Sequence, residues 1–480
     1  MDQNTQDKQF DFGMIGLGVM GSNLLLNMAD HGFKVIGFDK NPDKTVQFEK
    51  AARTGTIVKG VNTLAEMVAN LRKPAKFMML VPAGKPVDDV IIDLLPLVEK
   101  GDIIIDGGNS HYIDTLRRIL SLEDKGLHFM GIGISGGEQG ARLGPSIMPG
   151  GDVQAYNEVA PLLISVAAKV DDKPCVAYLG KGAAGHYVKM VHNGIEYAIM
   201  QLISECYDMM HHGLGIQNDE LAQIFTKWNE GEMRSFLIEI TAIVFSKKED
   251  NSEDYLVDKI LDRAGAKGTG KWTSEEGLDL PMPIPTIDMA VMMRNLSSLR
   301  TERVRANELY SSVSKKIDAE KESFLSALHD ALYLSTIISY AQGLAMLTTA
   351  SRELQMNIPM NDVVQVWKGG CIIRSELLNL FGASFAANTN LENLLLDPSI
   401  ASIVQSKLPA LQEVLQHAVK ANYPAAGMMA SFNYFNAYIR NSLPTNLIQA
   451  QRDLFGAHTY ERTDKEGIFH TDWEKKADLS

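Results

Sequence analysis

The 480-residue sequence predicts a doubly wound α/β sheet, followed by a large all-helical domain and a C-terminal tail. Short apolar runs alternate with amphipathic helical segments through the first third of the chain. Helical periodicity replaces this alternation after about Gly182 and continues to about residue 440. The remaining segment mixes Pro, Gly, His and charged residues, a composition more typical of a tail than of a packed domain. We therefore expect domains at residues 1–183 and 184–440, and a tail at 441–480.

Five apolar runs in the first third are predicted to be buried strands, because Gly, Pro, Asp or Asn residues bound each of them. These runs are Phe12–Ile15, Lys34–Phe38, Phe77–Val81, Asp102–Asp106 and His128–Ile132. Amphipathic segments such as Ser22–Asp30 and Pro86–Val98 lie between them, and this alternation predicts a parallel sheet. Gly and Pro are concentrated in GPSIMPGG (Gly144–Gly151), which predicts a loop.

Composition indicates a soluble globular protein, with 45% hydrophobic and 22% charged residues. The net charge of −13 argues against a nucleic-acid partner but does not exclude a small anionic ligand. The three cysteines, Cys175, Cys206 and Cys371, fit neither a disulfide framework nor a Cys-rich zinc site, and no metal is expected. The polar start MDQNTQDKQF lacks the apolar run of a signal peptide, and no stretch approaches the ~20 apolar residues of a membrane helix. We therefore expect a cytoplasmic protein without a membrane partner.

Two stretches of the helical half resemble each other. Tyr197-Ala198 and Tyr340-Ala341 are separated by 143 positions, and Gln223-Ile224-Phe225 and Gln365-Val366-Trp367 by 142. These matching offsets predict a duplicated helical unit, with chance similarity between helices as the alternative.

The segment Gly16–Gly21 is a complete G-x-G-x-x-G between the first predicted strand and the first predicted helix. Its glycines permit a tight turn and a close approach of pyrophosphate, and the helix N-terminus offers free N–H groups to the phosphates. The motif is weak alone, but strand, helix and Asp39 at the end of the second strand are all in place. We therefore expect a Rossmann-type dinucleotide site. The expected coenzyme-binding residues are Gly16, Leu17, Gly18, Val19, Met20, Gly21, Asp39, Lys40, Asn41, Val81, Pro82, Ala83 and Asn109.

Asp39 bears on the choice between NAD and NADP. A carboxylate at this position usually accepts hydrogen bonds from the adenosine ribose hydroxyls, and it would repel a 2′-phosphate, so it favours NAD. Lys40 follows at once and could offset that repulsion, or it could be an ordinary solvated lysine of a turn.

The segment Gly185–Tyr197 is predicted to carry the chemistry. On a helix Lys189, Asn193, Glu196 and Tyr197 share one face. A solvated polar stripe is the alternative, but nearby glycines and the apolar sequence beyond Tyr197 favour burial, and buried charges need partners or a ligand. A desolvated lysine can act as a general base near neutral pH. A carboxylate seven residues along, about 10 Å by helical rise, could act as the acid.

Two glycine-containing loops follow predicted strands, Ser135-Gly136-Gly137 and Asp106–Ser110. Their small residues and N–H groups suit a carboxylate or a hydroxyl-rich ligand, although each alone could be a simple tight loop. Cations follow later in the chain, and each alone could be a surface charge. These cations are Lys267, Arg294, Arg452 and His458.

Together these segments resemble the 6-phosphogluconate dehydrogenase family over essentially the whole chain. The matching motifs are DGGNS (106–110), GISGGEQGARLGPSIMPGG (133–151), GHYVKMVHNGIEY (185–197), KGTGKW (267–272) and QRDLFGAHTYE (451–461). The resemblance implies oxidative decarboxylation of 6-phosphogluconate to ribulose 5-phosphate and CO₂ without a metal, with NADP as coenzyme. It places the chain in the pentose phosphate pathway and in gluconate utilisation.

The resemblance also implies residue roles. Lys189 matches the base that removes the C3 hydroxyl proton, and Glu196 matches the acid that protonates C1 of the enediol. The positions that hold the carboxylate and hydroxyls match Asn109, Ser135, Gly136, Gly137, His192 and Asn193. The phosphate-binding positions match Tyr197, Lys267, Arg294 and Arg452, with His458 nearby. In the family Arg452 and His458 belong to the tail of the other subunit, which implies a homodimer in which the tail completes the partner's active site.

Two departures from the family concern the coenzyme. Many NADP-using members have Ala at the position of Gly18, and Asn-Arg-Ser/Thr at the positions of Asp39-Lys40-Asn41. NAD is therefore a second candidate coenzyme, which Gly18 and Asp39 favour. Two other functions are alternatives: a β-hydroxyacid dehydrogenase acting on another sugar acid, and a non-catalytic NAD(P)-binding sensor. The first would give Lys267, Arg294 and Arg452 no reason to converge, and a sensor would be signalled by the loss of Lys189 or Glu196.

Overall fold

The structure is a computed structural model that describes residues 9–266, 268–310 and 314–473. Contacts divide the chain into two compact units, with the division between Ser431 and Phe432. The expected boundary at residue 183 lies inside the first unit, and the expected start of the tail at residue 441 lies inside the second.

A seven-stranded sheet forms the first part of the larger unit, in the order β3-β2-β1-β4-β5-β6-β7. Its strands are β1 (Phe12–Ile15), β2 (Val35–Phe38), β3 (Val58–Val61), β4 (Lys76–Met79), β5 (Ile103–Asp106), β6 (His128–Ser135) and β7 (Ser146–Gly151). All neighbours are parallel except β6 and β7, which are antiparallel. The chain reaches the edge at β3 and then returns to β4 beside β1. This reversal creates the crevice in which doubly wound sheets bind ligands, outside the carboxyl ends of β1 and β4.

All five predicted strands are confirmed, but two further strands of this sheet were not predicted. The edge strand β3, V-K-G-V, is only partly buried and so lacks an apolar run. The prediction of a loop at Gly144–Gly151 is wrong for Ser146–Gly151, which forms the fully buried strand β7. Its Pro149 is tolerated because β7 lies at the sheet edge. Its Gly150 is required by a close contact, since a Cβ there would lie 2.2 Å from the Gly185 nitrogen.

Helices cover both faces of the sheet, as the alternating sequence predicts. They are α1 (Val19–Asp30), α2 (Pro42–Lys50), α3 (Leu64–Asn70), α4 (Lys85–Leu94), α5 (Tyr112–Glu123), α6 (Gly137–Leu143) and α7 (Val153–Val166). Successive residues of a strand enter opposite apolar clusters: Met14 packs in one and Ile15 in the other. A short hairpin of β8 (Lys169–Val170) and β9 (Lys173–Pro174) then leads to the helical region.

The helical region contains a duplicated unit. Its helices are α8 (Ala184–Asp208), α9 (Asn218–Trp228), α10 (Phe236–Ser246), α11 (Thr269–Asp279), α12 (Pro285–Ser298), α13 (Arg300–Tyr310), α14 (Lys321–Glu353), α15 (Met360–Trp367), α16 (Leu377–Ala387), α17 (Pro398–Ala421) and α18 (Ala426–Tyr438). The helices α9, α10 and α12 begin at 218, 236 and 285, while α15, α16 and α18 begin at 360, 377 and 426. The equivalent residues Ser235 and Ser375 pair in an antiparallel bridge. The helix positions therefore support the predicted duplication over chance similarity.

The second unit is more ordered than a tail. It contains α19 (Thr445–Gly456) and an antiparallel pair, β10 (Tyr460–Glu461) and β11 (Ile468–Phe469). The buried Asp453 carboxylate accepts hydrogen bonds from the Thr459 and Thr471 backbone and from the Trp473 indole. The segment expected to be a tail therefore has secondary structure of its own, in which one buried carboxylate binds the residues that follow α19.

Within the described residues, α14 alone is long and apolar enough to cross a membrane, contrary to the expectation that no segment would be. Its apolar window is 94% buried inside the protein. A core helix passes the same test of length and composition.

Candidate active site

Helix α8 packs in close contact with β6 and β7, because both the helix and the strands have glycines where they meet. A Cβ at Gly185 would lie 2.2 Å from the Gly131 carbonyl oxygen, and a Cβ at Gly133 would lie 2.4 Å from the Lys189 Cβ. This contact fixes the helix against the carboxyl end of β6. The predicted face of α8 is therefore buried near the carboxyl ends of the strands, where ligands are expected.

Four of the predicted site residues meet there around the fully buried His192. Its Nδ1 lies 3.3 Å from the Lys189 Nζ and 3.0 Å from the Asn193 Oδ1, and its Nε2 lies 3.3 Å from the Ser135 Oγ. An amide oxygen can only accept, so the contact with Asn193 places the ring hydrogen on Nδ1. Nε2 then accepts from the Ser135 hydroxyl. A neutral Lys189 amine can accept from the same Nδ1–H, whereas an ammonium group cannot.

Burial shifts both predicted proton-transfer groups toward their neutral forms. It lowers the pKa of Lys189 below its usual value, against the attraction of Glu196. It raises the pKa of Glu196, against the attraction of Lys189 and Arg294. The pKa of His192 is lowered well below its usual value by burial and then by Lys189, so the ring is neutral. The Glu196 Oε2 lies 3.9 Å from the His192 Nδ1, so the predicted base and the predicted acid both approach the same ring nitrogen.

The loop after β5 is held in place by its own carboxylate. Asp106 accepts hydrogen bonds from the Gly108 N–H at 3.0 Å and the Ser110 hydroxyl at 2.6 Å. Its carbonyl oxygen lies 3.1 Å from the His186 Nε2 at the start of α8. Asn109 is exposed between these fixed residues, on the loop that α8 supports. Asn109 is therefore accessible on a loop with a fixed conformation, and its role in binding stays a prediction.

The predicted phosphate-binding residues that the structure describes lie in two separate groups. In α12, Arg294 lies 3.5 Å over the Tyr197 ring and donates to the Gly265 carbonyl at 3.1 Å. Lys267 lies outside the described residues. Arg452 and His458 are exposed residues of the second unit, where Arg452 donates to the Gln449 side chain.

The glycine loop has the features that a dinucleotide requires. Gly16 has a φ of +95°, and a Cβ there would lie 2.5 Å from the Leu80 carbonyl oxygen. A Cβ at Gly21 would lie 1.9 Å from the Gly16 carbonyl oxygen. Gly18, by contrast, faces open space and is the N-cap of α1 with no side-chain cap, and the first turn has no acidic residue. The N–H groups of this turn are therefore free to bind an anion.

Asp39 is bound to the glycine loop itself. Its Oδ2 accepts from the Leu17 N–H at 2.8 Å, and its Oδ1 accepts from the Asn41 N–H at 2.9 Å. The Lys44 Nζ lies 3.4 Å from Oδ2, whereas Lys40 is exposed. The cation that pairs with Asp39 is thus Lys44 in the first turn of α2, which the sequence analysis did not single out.

The second helical repeat also contributes to the site, which the sequence reasoning missed. The Trp367 ring meets the His192 ring edge-on with 5.8 Å between centroids. A Cβ at Gly136 would lie 2.5 Å from the Gly370 carbonyl oxygen, so the loop after α15 supports Ser135-Gly136. Contacts between segments so distant in sequence leave no local signal. The clustered glycines at 369–370 are the one available hint.

One group of possible metal ligands occurs among the described residues, Glu232, His329 and Asp330. The Lys407 Nζ lies 2.6 Å from the Glu232 carboxylate and 2.8 Å from that of Asp330. A lysine ammonium group therefore occupies the position that a cation would take, and the cluster contains none of the predicted site residues.

Two family models match the chain. The NAD binding domain of 6-phosphogluconate dehydrogenase matches residues 11–180, and the 6-phosphogluconate dehydrogenase C-terminal domain matches residues 185–473.

Characterised relatives match over nearly the full length. The decarboxylating 6-phosphogluconate dehydrogenase of Lactococcus lactis is 49% identical over 97% of this chain and 99% of its own length. The NADP(+)-dependent decarboxylating enzyme of Bacillus subtilis is 48% identical over 96% of this chain and 99% of its own. A structure of Plasmodium falciparum 6-phosphogluconate dehydrogenase, described in apo form, with its cofactor NADP+ and with its substrate, has a TM-score of 0.94 and 44% identity. It covers 96% of this chain and 100% of the other.

Proposed function

The chain belongs to the 6-phosphogluconate dehydrogenase family, and we propose that Lys189 and Glu196 perform the two proton transfers of its reaction. The protein is a decarboxylating oxidoreductase that converts 6-phosphogluconate to ribulose 5-phosphate and CO₂. The observation that carries the proposed roles is the cluster of Lys189, His192 and Glu196 on one buried face of α8. Neither a sensor nor a dehydrogenase of another sugar acid is favoured.

Lys189 acts first. As a neutral amine it takes the proton of the substrate C3 hydroxyl, because burial has lowered its pKa. The bound nicotinamide coenzyme supplies the acceptor for the hydride that leaves C3. The resulting β-keto acid loses CO₂, and Lys189, now protonated, is the group that can return its proton to the C3 oxygen.

Glu196 acts at the other end of the reaction. Burial raises the pKa of its carboxyl group and so favours the protonated form, which donates its proton to C1 of the enediol while Lys189 takes the proton of the enediol hydroxyl as the ketone forms. Ser135, His192 and Asn193 supply hydroxyl, ring and amide groups that bind the substrate carboxylate and hydroxyls. Asn109, Gly136 and Gly137 complete this part of the site.

NADP is the coenzyme that the comparisons support. The open side of Gly18 and the free N–H groups at the start of α1 would hold its pyrophosphate. Preference for NAD over NADP remains a prediction that rests on Asp39. Initial rates with 6-phosphogluconate and with gluconate, each with NADP and NAD, test the substrate and the coenzyme together. A rate with gluconate equal to that with 6-phosphogluconate would contradict the proposed phosphate-binding residues.

We also propose that the protein is a homodimer in the cytoplasm, and that Arg452 and His458 of a second copy bind the phosphate beside Arg294. Exposed apolar side chains on α19 support a partner for this helix: Leu447 is 62% exposed, Leu454 59% and Phe455 71%. We expect removal of residues 451–480 to abolish activity while dinucleotide binding persists.

Subunit complementation tests the shared site directly. Lys189→Met and Arg452→Ala are each expected to inactivate the enzyme. In a mixed dimer one site would combine the intact Lys189 of one copy with the intact Arg452 of the other. Refolding the two variants together should restore up to about a quarter of wild-type activity, since about half of the dimers are mixed and each has one complete site. Absence of any restored activity, or a wild type that is monomeric and active in light scattering, would contradict the shared site.

A further inference from the structure

Arg118 is a buried cation on α5 that no step of the reaction uses. Only 2% of its surface is exposed. Its Nε donates to the Asp88 carboxylate at 2.8 Å, and its Nη2 donates to the Gly84 carbonyl at 3.0 Å. Its Nη1 lies 3.5 Å from both the Asp106 Oδ2 and the Ser110 Oγ. One guanidinium group therefore contacts four residues on two separate loops and a helix.

Both loops belong to the candidate active site. Gly84 ends the loop that follows β4 and contains Val81, Pro82 and Ala83. Asp106 and Ser110 bound the loop that carries Asn109. The two loops also touch each other, because a Cβ at Gly108 would lie 3.2 Å from the Val81 carbonyl oxygen.

The planar shape of the guanidinium group is used here, as well as its charge. Its nitrogens point in fixed directions to a carboxylate on α4, a carbonyl on the first loop and a carboxylate on the second. A lysine would keep the charge but could not make these contacts together. Burying a charge is unfavourable unless it is paired, so packing alone gives no reason for an arginine at this position.

We propose that Arg118 is a positioning residue, which fixes the loops 81–84 and 107–110 relative to each other and thereby aligns the coenzyme with C3 of the substrate. This inference rests on the proposed function, since it takes the first loop to hold coenzyme and Asn109 to hold substrate. Arg118 itself touches neither ligand in this proposal.

The test compares Arg118→Lys with Arg117→Lys. Arg117 precedes Arg118 on the same helix and pairs with the same Asp88 at 3.0 Å, but its side chain is 55% exposed. We expect Arg118→Lys to lower kcat at least tenfold, to weaken NADP+ binding in calorimetry, and to increase the deuterium isotope effect with 6-phosphogluconate labelled at C3. Arg117→Lys should match the wild type in all three. Equal kcat, binding and isotope effects in the two variants would overturn the proposal.

Hydrogen exchange of the proteins without ligand separates positioning from general destabilisation. In Arg118→Lys, peptides covering 80–84 and 107–110 should exchange faster, while peptides from α14 keep their wild-type rates. Faster exchange throughout the chain would overturn the positioning role. If the wild type does not reduce coenzyme with 6-phosphogluconate, the proposed function fails, and the exchange comparison still decides whether Arg118 holds the two loops.

Discussion

The helices α8 and α14 occupy matching places in the two helical repeats, but only α8 buries ionisable residues at the matched positions. Its buried face carries Lys189, His192 and Asn193, and Glu196 lies partly exposed at the edge of that face. At the positions 143 residues later α14 carries Leu332, Ser335, Thr336 and Ser339. Both helices then have Tyr followed by Ala, at Tyr197 in α8 and at Tyr340 in α14.

The difference separates what the fold requires from what function requires. In α14 the Ser339 hydroxyl donates to the Ser335 carbonyl at 2.8 Å and the Tyr340 hydroxyl donates to the Ile373 carbonyl, whereas the buried Ser335 hydroxyl has no hydrogen-bond partner among the described residues. In α8 burial lowers the pKa of Lys189 and raises the pKa of Glu196, so both shifts favour the neutral forms. A helix in this position folds with small, hydroxyl-bearing or apolar residues, so packing alone does not require the ionisable residues of α8, and we infer that they serve the proposed proton transfers.

Replacing the base should have the largest effect on activity. Lys189→Met makes α8 similar to α14 at this position, since Leu332 is its counterpart. Loss of a general base typically lowers the rate ~10²–10⁴-fold. We expect that loss in kcat with 6-phosphogluconate, with NADP+ binding within about twofold of wild type in calorimetry. Reduction of coenzyme at the wild-type rate would remove Lys189 from the mechanism.

The reverse change tests the comparison from the other helix. Leu332→Lys places an ionisable group at a fully buried position of α14, where no carboxylate corresponds to Glu196. An uncompensated buried charge costs about 3–5 kcal/mol. We expect a loss of that size in the free energy of unfolding, measured with urea, with Leu332→Met as the control of similar size. If Leu332→Lys is as stable as Leu332→Met, burial in α14 is more tolerant of charge than the comparison assumes.

Replacing the acid should slow a later step. Glu196→Gln removes the proton that the raised pKa of this carboxyl group retains, and turnover should fall ~10²-fold. Hydride transfer precedes this protonation, so a first-turnover burst of reduced coenzyme should survive in Glu196→Gln and be absent in Lys189→Met. Stopped-flow absorbance measures both. Loss of the burst in Glu196→Gln would show that Glu196 is needed before or during hydride transfer.

The burial of Lys189 should also affect how the free energy of unfolding depends on pH, although this effect is smaller than those on activity. Burial lowers the pKa of Lys189 in the folded state, so the unfolded chain binds a proton there that the folded chain does not. This contribution makes folding more favourable as pH rises from the folded pKa toward the unfolded value of ~10.4, by up to about 1.4 kcal/mol per pH unit. We expect Lys189→Met to be more stable than wild type near pH 7 and to lose that advantage toward pH 10. Urea unfolding at several pH values measures the difference, and a constant difference would contradict a depressed pKa.

Local patterns in the sequence predicted much of this site. The five inner strands are apolar runs, the glycine loop is a short motif, and Lys189, Asn193 and Glu196 follow helical spacing, so each can be recognised within a short window of sequence. The strand β7 was missed because its Pro149 and Gly150 suit an edge position and a close helix contact, which only the folded arrangement shows.

Contacts between distant segments could not be predicted in this way. Trp367 against His192 and Gly370 against Gly136 join residues more than 150 positions apart. Arg118 did leave a signal, because Thr115, Arg118, Ile119 and Leu122 form the buried stripe of α5, and an arginine in such a stripe indicates buried partners. Asp39 shows a third case, in which the residue was identified but its hydrogen bonds were not.

The smallest predicted effect concerns Asp39 and the choice of coenzyme. Unlike Lys189 and Glu196 of α8, Asp39 directly follows the carboxyl end of β2. Its carboxylate accepts from the Leu17 and Asn41 N–H groups and pairs with Lys44 at 3.4 Å. Two negative groups ~4 Å apart near a surface repel by ~4 kcal/mol at an effective dielectric near 20, before screening. Lys44 offsets part of that repulsion, and a remaining quarter corresponds to a shift of roughly five- to tenfold in preference.

We therefore expect Asp39→Asn to move the ratio of kcat/KM for NADP and NAD about five- to tenfold toward NADP, and Lys44→Gln to move it toward NAD. The opposed pair is needed because Asn has one acceptor oxygen in place of two and must give up the Leu17 or the Asn41 hydrogen bond. Loss of that hydrogen bond should lower kcat/KM for both coenzymes and leave their ratio unchanged. A charge effect should instead move the ratio in opposite directions in the two variants. Ratios unchanged in both would mean that Asp39 and Lys44 serve the loop alone and that another group discriminates the 2′-position.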